Sequence, residues 1–172
     1  MLEYVAKAAK THLEADMEAA LDAIEVEWAT DPITLPDVVT WHLGHLPTVV
    51  ELARASFPVV TVGAFNEDPS PDPYTKMNQW GLGEGTVPLI VNWFIDDDDQ
   101  ETCYKKCLRF GQAIDAIIRE HRKLDTGIEV ETKSFVSVTR VSTLAREYPD
   151  LGDLYYTEMG QKTYSVRVRH TT

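Results

Sequence analysis

Four consecutive aspartates, Asp96, Asp97, Asp98 and Asp99, stand between two segments of different periodicity. Before them, residues 86–95 are almost wholly apolar and rich in β-branched side chains, the pattern of a strand covered on both faces. After them, Cys103, Cys107, Phe110, Ile114, Ile117 and His121 recur in alternating steps of four and three, a single stripe along a helix over about residues 98–123. This junction constrains the fold more than any other feature. A strand buried on both faces needs neighbours, and the helix that follows it must lay its stripe on the sheet they form. The aspartates crowd the first turn of that helix and Arg119, Arg122 and Lys123 the last, so both ends match the helix dipole, each exposed charge contributing about 0.3–1 kcal/mol. Gly127 lies just past its end as a break.

A second long helix is predicted over residues 2–27, where Val5, Ala9, Leu13, Met17, Ala20 and Ile24 keep helical spacing without an internal glycine or proline. Its other faces are acidic, and Asp31-Pro32 stops it. Pro32, Pro36 and Pro47 then cut residues 31–57 into short pieces, with a turn of helix expected over 37–42 and a short helix over 48–56. Residues 59–65 read as a strand. Residues 66–85, with three prolines and three glycines, read as a long loop of the kind that often carries binding. In the last third, residues 128–141 alternate as one strand or a strand bent near Lys133-Ser134. Residues 164–170 form a closing strand, and 154–158 are expected to pair with it through a turn at Met159-Gly160-Gln161. The predicted fold is α+β: an antiparallel β-sheet flanked by two long helices, with a long loop between the first two strands. At 172 residues it is expected to be one domain, residues 1–30 forming the amphipathic helix and 57–172 the α+β core.

Composition narrows the function. Sixteen basic against 28 acidic residues give a net charge of −12, which opposes long-range attraction to nucleic acid. The apolar runs are too short for a membrane helix, and the first residues lack the basic-then-apolar pattern of a secretory leader. Cys103 and Cys107 lie one helical turn apart, poorly placed for an unstrained disulfide, and are expected to be buried free thiols in a reducing compartment. The contiguous aspartates lack the spaced, glycine-containing geometry of a calcium loop. His42 and His45 have no further zinc ligand at suitable spacing. Gly81, Gly83 and Gly85 precede a strand rather than a helix and have no following lysine, so a phosphate loop is not supported. No cofactor, metal or catalytic residue is expected. A small enzyme or regulatory domain built from scattered acids and histidines stays open as the alternative class.

Charge is unevenly laid out. Residues 1–50 hold nine acids and two bases, 51–102 ten and two, and 103–172 nine and twelve. An acidic front and a mildly basic back are self-complementary, as a head-to-tail ring requires. An acidic ring would also let duplex DNA slide through without sticking.

The segments Phe57-Pro58-Val59-Val60-Thr61-Val62-Gly63-Ala64, Val87-Pro88-Leu89-Ile90-Val91-Asn92-Trp93-Phe94-Ile95, Gly111-Gln112-Ala113-Ile114-Asp115-Ala116-Ile117-Ile118 and Tyr164-Ser165-Val166-Arg167-Val168-Arg169 follow a helical N-terminal region in an order with a parallel among viral proteins. Over roughly residues 57–170, element order and texture resemble the tail terminator (tail completion, or neck) proteins of long-tailed bacteriophages. The resemblance implies a structural virion protein, assembled in the host cytoplasm as a ring, a hexamer, that caps the tail tube and meets the head connector. It implies no enzymatic activity, no cofactor, no membrane and DNA that passes without specific binding. Other neck proteins, adaptors and stoppers, are the neighbouring alternatives. The expected protein contacts are Tyr74, Met77 and Trp80 in the long loop, whose alternative is packing back on their own core, and Arg167 and Arg169 on the polar face of the last strand.

Overall fold

The computed structural model describes residues 2–44, 53–64, 76–77, 83–136, 140–147 and 154–169. In chain order these form α1 (Leu2–Glu27), β1 (Thr40–Leu43), a 3₁₀ turn (Arg54–Ser56), β2 (Val59–Ala64), β3 (Lys76–Met77), β4 (Gly83–Asp97), α2 (Gln100–Glu120), β5 (Lys123–Asp125), β6 (Ile128–Val130), a second 3₁₀ turn (Thr132–Val136), β7 (Arg140–Glu147) and β8 (Leu154–Arg169).

The α+β class is as expected, but the sheet is mixed. Its strands run in the order β1-β2-β4-β8-β6-β5, with β3 added to β4 and β7 to β8. Every described pairing is antiparallel except β1 with β2, which is parallel. Thr40–Leu43 therefore form a strand where a turn of helix was expected, and residues 44–58 supply the crossover length that a parallel neighbour needs. The helices do not flank the sheet on two sides. Both lie on one face and contribute to one core with it, α1 through Val5, Ala9, Leu13, Met17, Leu21 and Ile24, α2 through Cys103, Cys107, Phe110, Ile114 and Ile117.

The axis of the sheet is the pairing of β4 with β8, continuous from Glu84 opposite Arg169 to Asp97 opposite Tyr156. Residues 154–158 and 164–169 thus belong to one strand, and no turn occurs at Met159-Gly160-Gln161. Gly160 has another purpose. It sits opposite Trp93, whose indole occupies the place of the missing side chain: a Cβ on Gly160 would fall 2.0 Å from Trp93 Cε2. Trp93 is fully buried, and its Nε1 donates to the Cys107 carbonyl at 2.8 Å, so the ring is held between the sheet and α2. Of the two readings of residues 128–141, the interrupted one holds, with the break around Lys133-Ser134. β6 ends at Val130, and the chain makes a 3₁₀ turn before β7 begins at Arg140.

The aspartates at the start of α2 have separate partners. Asp99 caps the helix, accepting the Thr102 N–H at 2.7 Å, a bond of a type that contributes about 1 kcal/mol. Asp97 faces the helices and meets Lys106 at 2.6 Å, whereas Asp96 faces the other way and accepts the Thr157 hydroxyl at 2.8 Å. Deeper under α2, Asp115 accepts from Lys162 Nζ at 2.9 Å and from the Tyr164 hydroxyl at 2.5 Å, setting the helix over β8.

On the opposite face of the sheet a smaller apolar cluster joins Phe57, Val59 and Phe94, with Met159 against it. Asn92 Nδ2 donates to Thr61 at 3.0 Å beside it, and Arg54 lies 3.8 Å from the Tyr155 ring centre. This cover serves one end of the face. At the other end Thr86, Thr163 and Arg169 are exposed.

Two glycine substitutions separate packing from backbone strain. Gly160→Ala drives a methyl into a ring fixed on both sides and is expected to lower unfolding free energy by about 3 kcal/mol, the upper end of common overpacking costs, with altered tryptophan fluorescence. Gly44→Ala meets no atom within 4 Å and costs only the left-handed backbone at φ +86, about 1–2 kcal/mol. Urea unfolding of both variants measures the two losses; equal losses would refute the packing assignment.

Candidate assembly surface

The two arginines selected from the sequence come to the edge where β8 ends. Arg167 lies opposite Glu129 of β6 and Arg169 is exposed one residue pair further on; alternation puts both on the face away from the helices. The tight turn between β5 and β6 holds this edge in place. The carbonyl of Gly127, a residue at φ +76, accepts the Arg169 N–H at 2.7 Å, and a Cβ on Gly127 would come within 2.6 Å of the Arg169 carbonyl oxygen. Only glycine fits that approach.

A groove of about 440 Å³ opens here, lined by Lys123, Asp125, Glu129, Arg167 and Arg169 among others. An adjoining recess of about 250 Å³ shares Glu129 and Arg167 and adds Arg122, Glu131 and Lys133. The charges interleave. Arg122 meets Glu129 at 2.9 Å, and Glu131 is met by Lys133 at 2.9 Å and by Arg167 at 3.5 Å. The Ser165 hydroxyl donates to Glu131, and this bond, with Lys133 beside it, holds the Glu131 carboxyl below its ordinary range. Asp125 accepts the Tyr4 hydroxyl, which lowers its pKa and ties α1 to the groove's rim. Five cations against three carboxylates make this a locally basic place on an acidic protein.

Of the three loop residues expected to make contacts, Met77 lies in β3, paired with Gly83 of β4; Tyr74 and Trp80 lie outside the described residues. Position 77 is therefore part of the sheet rather than of an unstructured loop, and β4 begins at Gly83, ahead of the expected start at residue 86. A second group escaped sequence reading altogether. Trp28, Tyr104 and Leu108 are large, apolar and exposed. Tyr104 and Leu108 fall off the main stripe of α2, the only available signal, and Trp28 donates its Nε1–H to Gln112 Oε1 at 3.1 Å, one turn beyond Leu108.

The remaining polar candidates are engaged within the fold. His12 and His121 stack with ring centres 4.3 Å apart, and His121 lies 2.7 Å from Asp16 between the helices. His42 is on β1, and His45 lies outside the described residues. Both cysteines are free and buried, and burial pushes each thiol up to about 12, so neither supplies a thiolate at neutral pH. Among the described residues no group of three or more His, Cys, Asp or Glu side chains is placed to hold a metal ion, and no helix is long and apolar enough to cross a membrane.

No protein-family model matches this chain, and no curated protein is significantly similar to it.

Two outcomes follow from these environments. Folding lowers the Glu131 carboxyl below its ordinary value of 4.5, so its stabilising contribution is present above that value and is lost as pH falls through the lower, folded one. The slope of unfolding free energy between about pH 5 and pH 3 should be shallower in Glu131→Gln than in the parent chain, as pH-resolved urea titrations will read; an unchanged slope refutes the assignment. The folded protein should also leave Cys103 and Cys107 unlabelled by an aromatic disulfide reagent at neutral pH, with both reacting once guanidinium unfolds the chain.

Proposed function

We propose that this chain is a structural subunit that works by fitting against other polypeptides, and specifically that it forms a ring at the head–tail junction of a long-tailed bacteriophage, capping the tail tube and presenting a surface to the head connector. In this reading the protein has no enzymatic role, assembles in the host cytoplasm and ends in the virion. DNA passes the ring without being held.

The observation that carries the proposal is the separation of charge between the two ends of the helix layer. The C-terminal turn of α1, Asp31, Asp96–99 and Glu101 gather near the N-terminus of α2 and outnumber Lys105, Lys106 and Arg109, which pair with Asp31, Asp97 and Glu101, whereas Arg122, Lys123, Lys133, Arg167 and Arg169 gather beyond its C-terminus. Unlike patches at opposite ends of one subunit suit a repeating contact better than a closed two-fold dimer. Element order over residues 57–170 supports the viral neck as the place for it: a β-rich core interrupted by one acid-started helix.

Polymerising tail-tube subunits with and without the purified protein is the direct test. Its presence should stop growth and leave capped tubes in electron micrographs; tubes that elongate unchanged overturn the neck assignment. Trp80→Ala is expected to weaken assembly, read by light scattering, with little change in melting temperature. A large fall in melting temperature would instead mark Trp80 as a core residue.

A further inference from the structure

Large apolar side chains, Trp28, Tyr104 and Leu108 among them, stand exposed toward the acidic end. Tyr104 and Leu108 stand one turn apart on α2, and Gln112, a turn further, binds Trp28. The Arg109 guanidinium, itself buried, lies 5.1 Å from the Trp28 ring and donates to Asp31 at 2.8 Å, fixing the ring from below. Acids border the patch. Asp31 and Glu101 share Lys105, at 3.5 and 2.8 Å, and Glu27 and Asp98 are exposed on the neighbouring turns. Aromatic anchors with a charged rim are what protein interfaces use, and isolated surfaces rarely gather them.

This patch and the basic groove cannot meet within one chain. Leu108 and Glu120 are separated by about 18 Å of helix axis, and the groove begins beyond Glu120. They match in sign and in chemistry: the groove offers arginines and lysines, and guanidinium groups stack on indole and phenol rings while pairing with carboxylates.

We infer that the Trp28–Tyr104–Leu108 patch of one subunit seats the β5–β6–β8 groove of a second copy, Arg167 and Arg169 lying over the rings and within reach of Glu27, Asp31 and Glu101. The contact is heterologous, so it repeats from copy to copy and closes into a ring or extends as a filament according to the rotation it imposes. This inference rests on the reading of the chain as an assembling subunit and names the two surfaces that carry it.

Three proteins test it by sedimentation over a concentration series at low and high salt: the parent chain, Leu108→Lys, which places a cation in the patch, and the pair Arg167→Glu with Arg169→Glu. The parent should sediment as oligomers at low salt and dissociate as salt rises. Each variant alone should need at least roughly tenfold more protein to reach half-assembly, equivalent to about 1.4 kcal/mol per contact. Mixed together, the two variants retain one intact patch and one intact groove, and should form a one-to-one dimer and nothing larger. Arg169→Glu alone, at an exposed position, guards against misfolding of the double variant and should shift assembly in the same direction. A parent chain that stays monomeric, or variants that assemble as the parent does, or a mixture that fails to pair, overturns the inference. The tube-capping assay distinguishes the two readings. Rings that survive these substitutions and still cap tubes refute only this interface, and oligomers that form by it but leave tube growth untouched refute only the viral neck.

Discussion

The structure turns on the stack of Trp93 over Gly160. β4 and β8 are the two longest strands and lie side by side over nearly their whole length, yet α2 stands between them in sequence. Their register is therefore not set by a hairpin turn and must come from side chains. An indole fills the volume above a glycine of the facing strand and reaches up to the Cys107 carbonyl, so one ring fixes strand against strand and sheet against helix. A slip by one residue would turn the glycine to the other face and bring a side chain under the ring.

Polar groups complete what the ring begins. Lys106 with Asp97 holds the first half of α2 at the end of β4, and Asp115 with Lys162 and Tyr164 holds the second half over β8. Lys162 is almost completely buried, so the attraction within this pair is largely offset by the water both charges lose and adds little net stability. Burial and the adjoining Asp115 carboxylate together push the Tyr164 hydroxyl far above its ordinary value, so it stays a donor. With α2 so fixed, its two ends become fixed directions. Acidic groups and exposed rings mark one, and the basic groove the other.

Much of this was legible in the residues. The stripes of α1 and α2, the buried strand before the aspartates, the alternation around Val166 and the polar facing of Arg167 and Arg169 all follow from periodicity, which depends on local geometry alone. Two features were misread for one shared reason. Gly160 reads as a turn because a glycine between two strand-like runs usually marks one, and only the facing Trp93 explains it as a packing site. Residues 37–42 read as a turn of helix because so short a piece carries little periodic signal, and the parallel partner that makes Thr40–Leu43 a strand lies beyond the crossover. Leu21 joins the α1 stripe as a buried residue while Ala20 packs half-buried against the same core, as partner surfaces, not spacing, choose how deep adjacent positions sit.

Sequence alone determined the α+β class, the two amphipathic helices, the burial of both cysteines and the uneven charge, since each depends on composition or on spacing within one element. Only tertiary structure decided that the helices share one face, that β8 is unbroken, that one edge strand runs parallel, and that Trp28 meets Gln112 of α2 while five cations converge at the other end. Those are contacts between residues far apart in the chain, and no local pattern encodes which distant surface a side chain will meet.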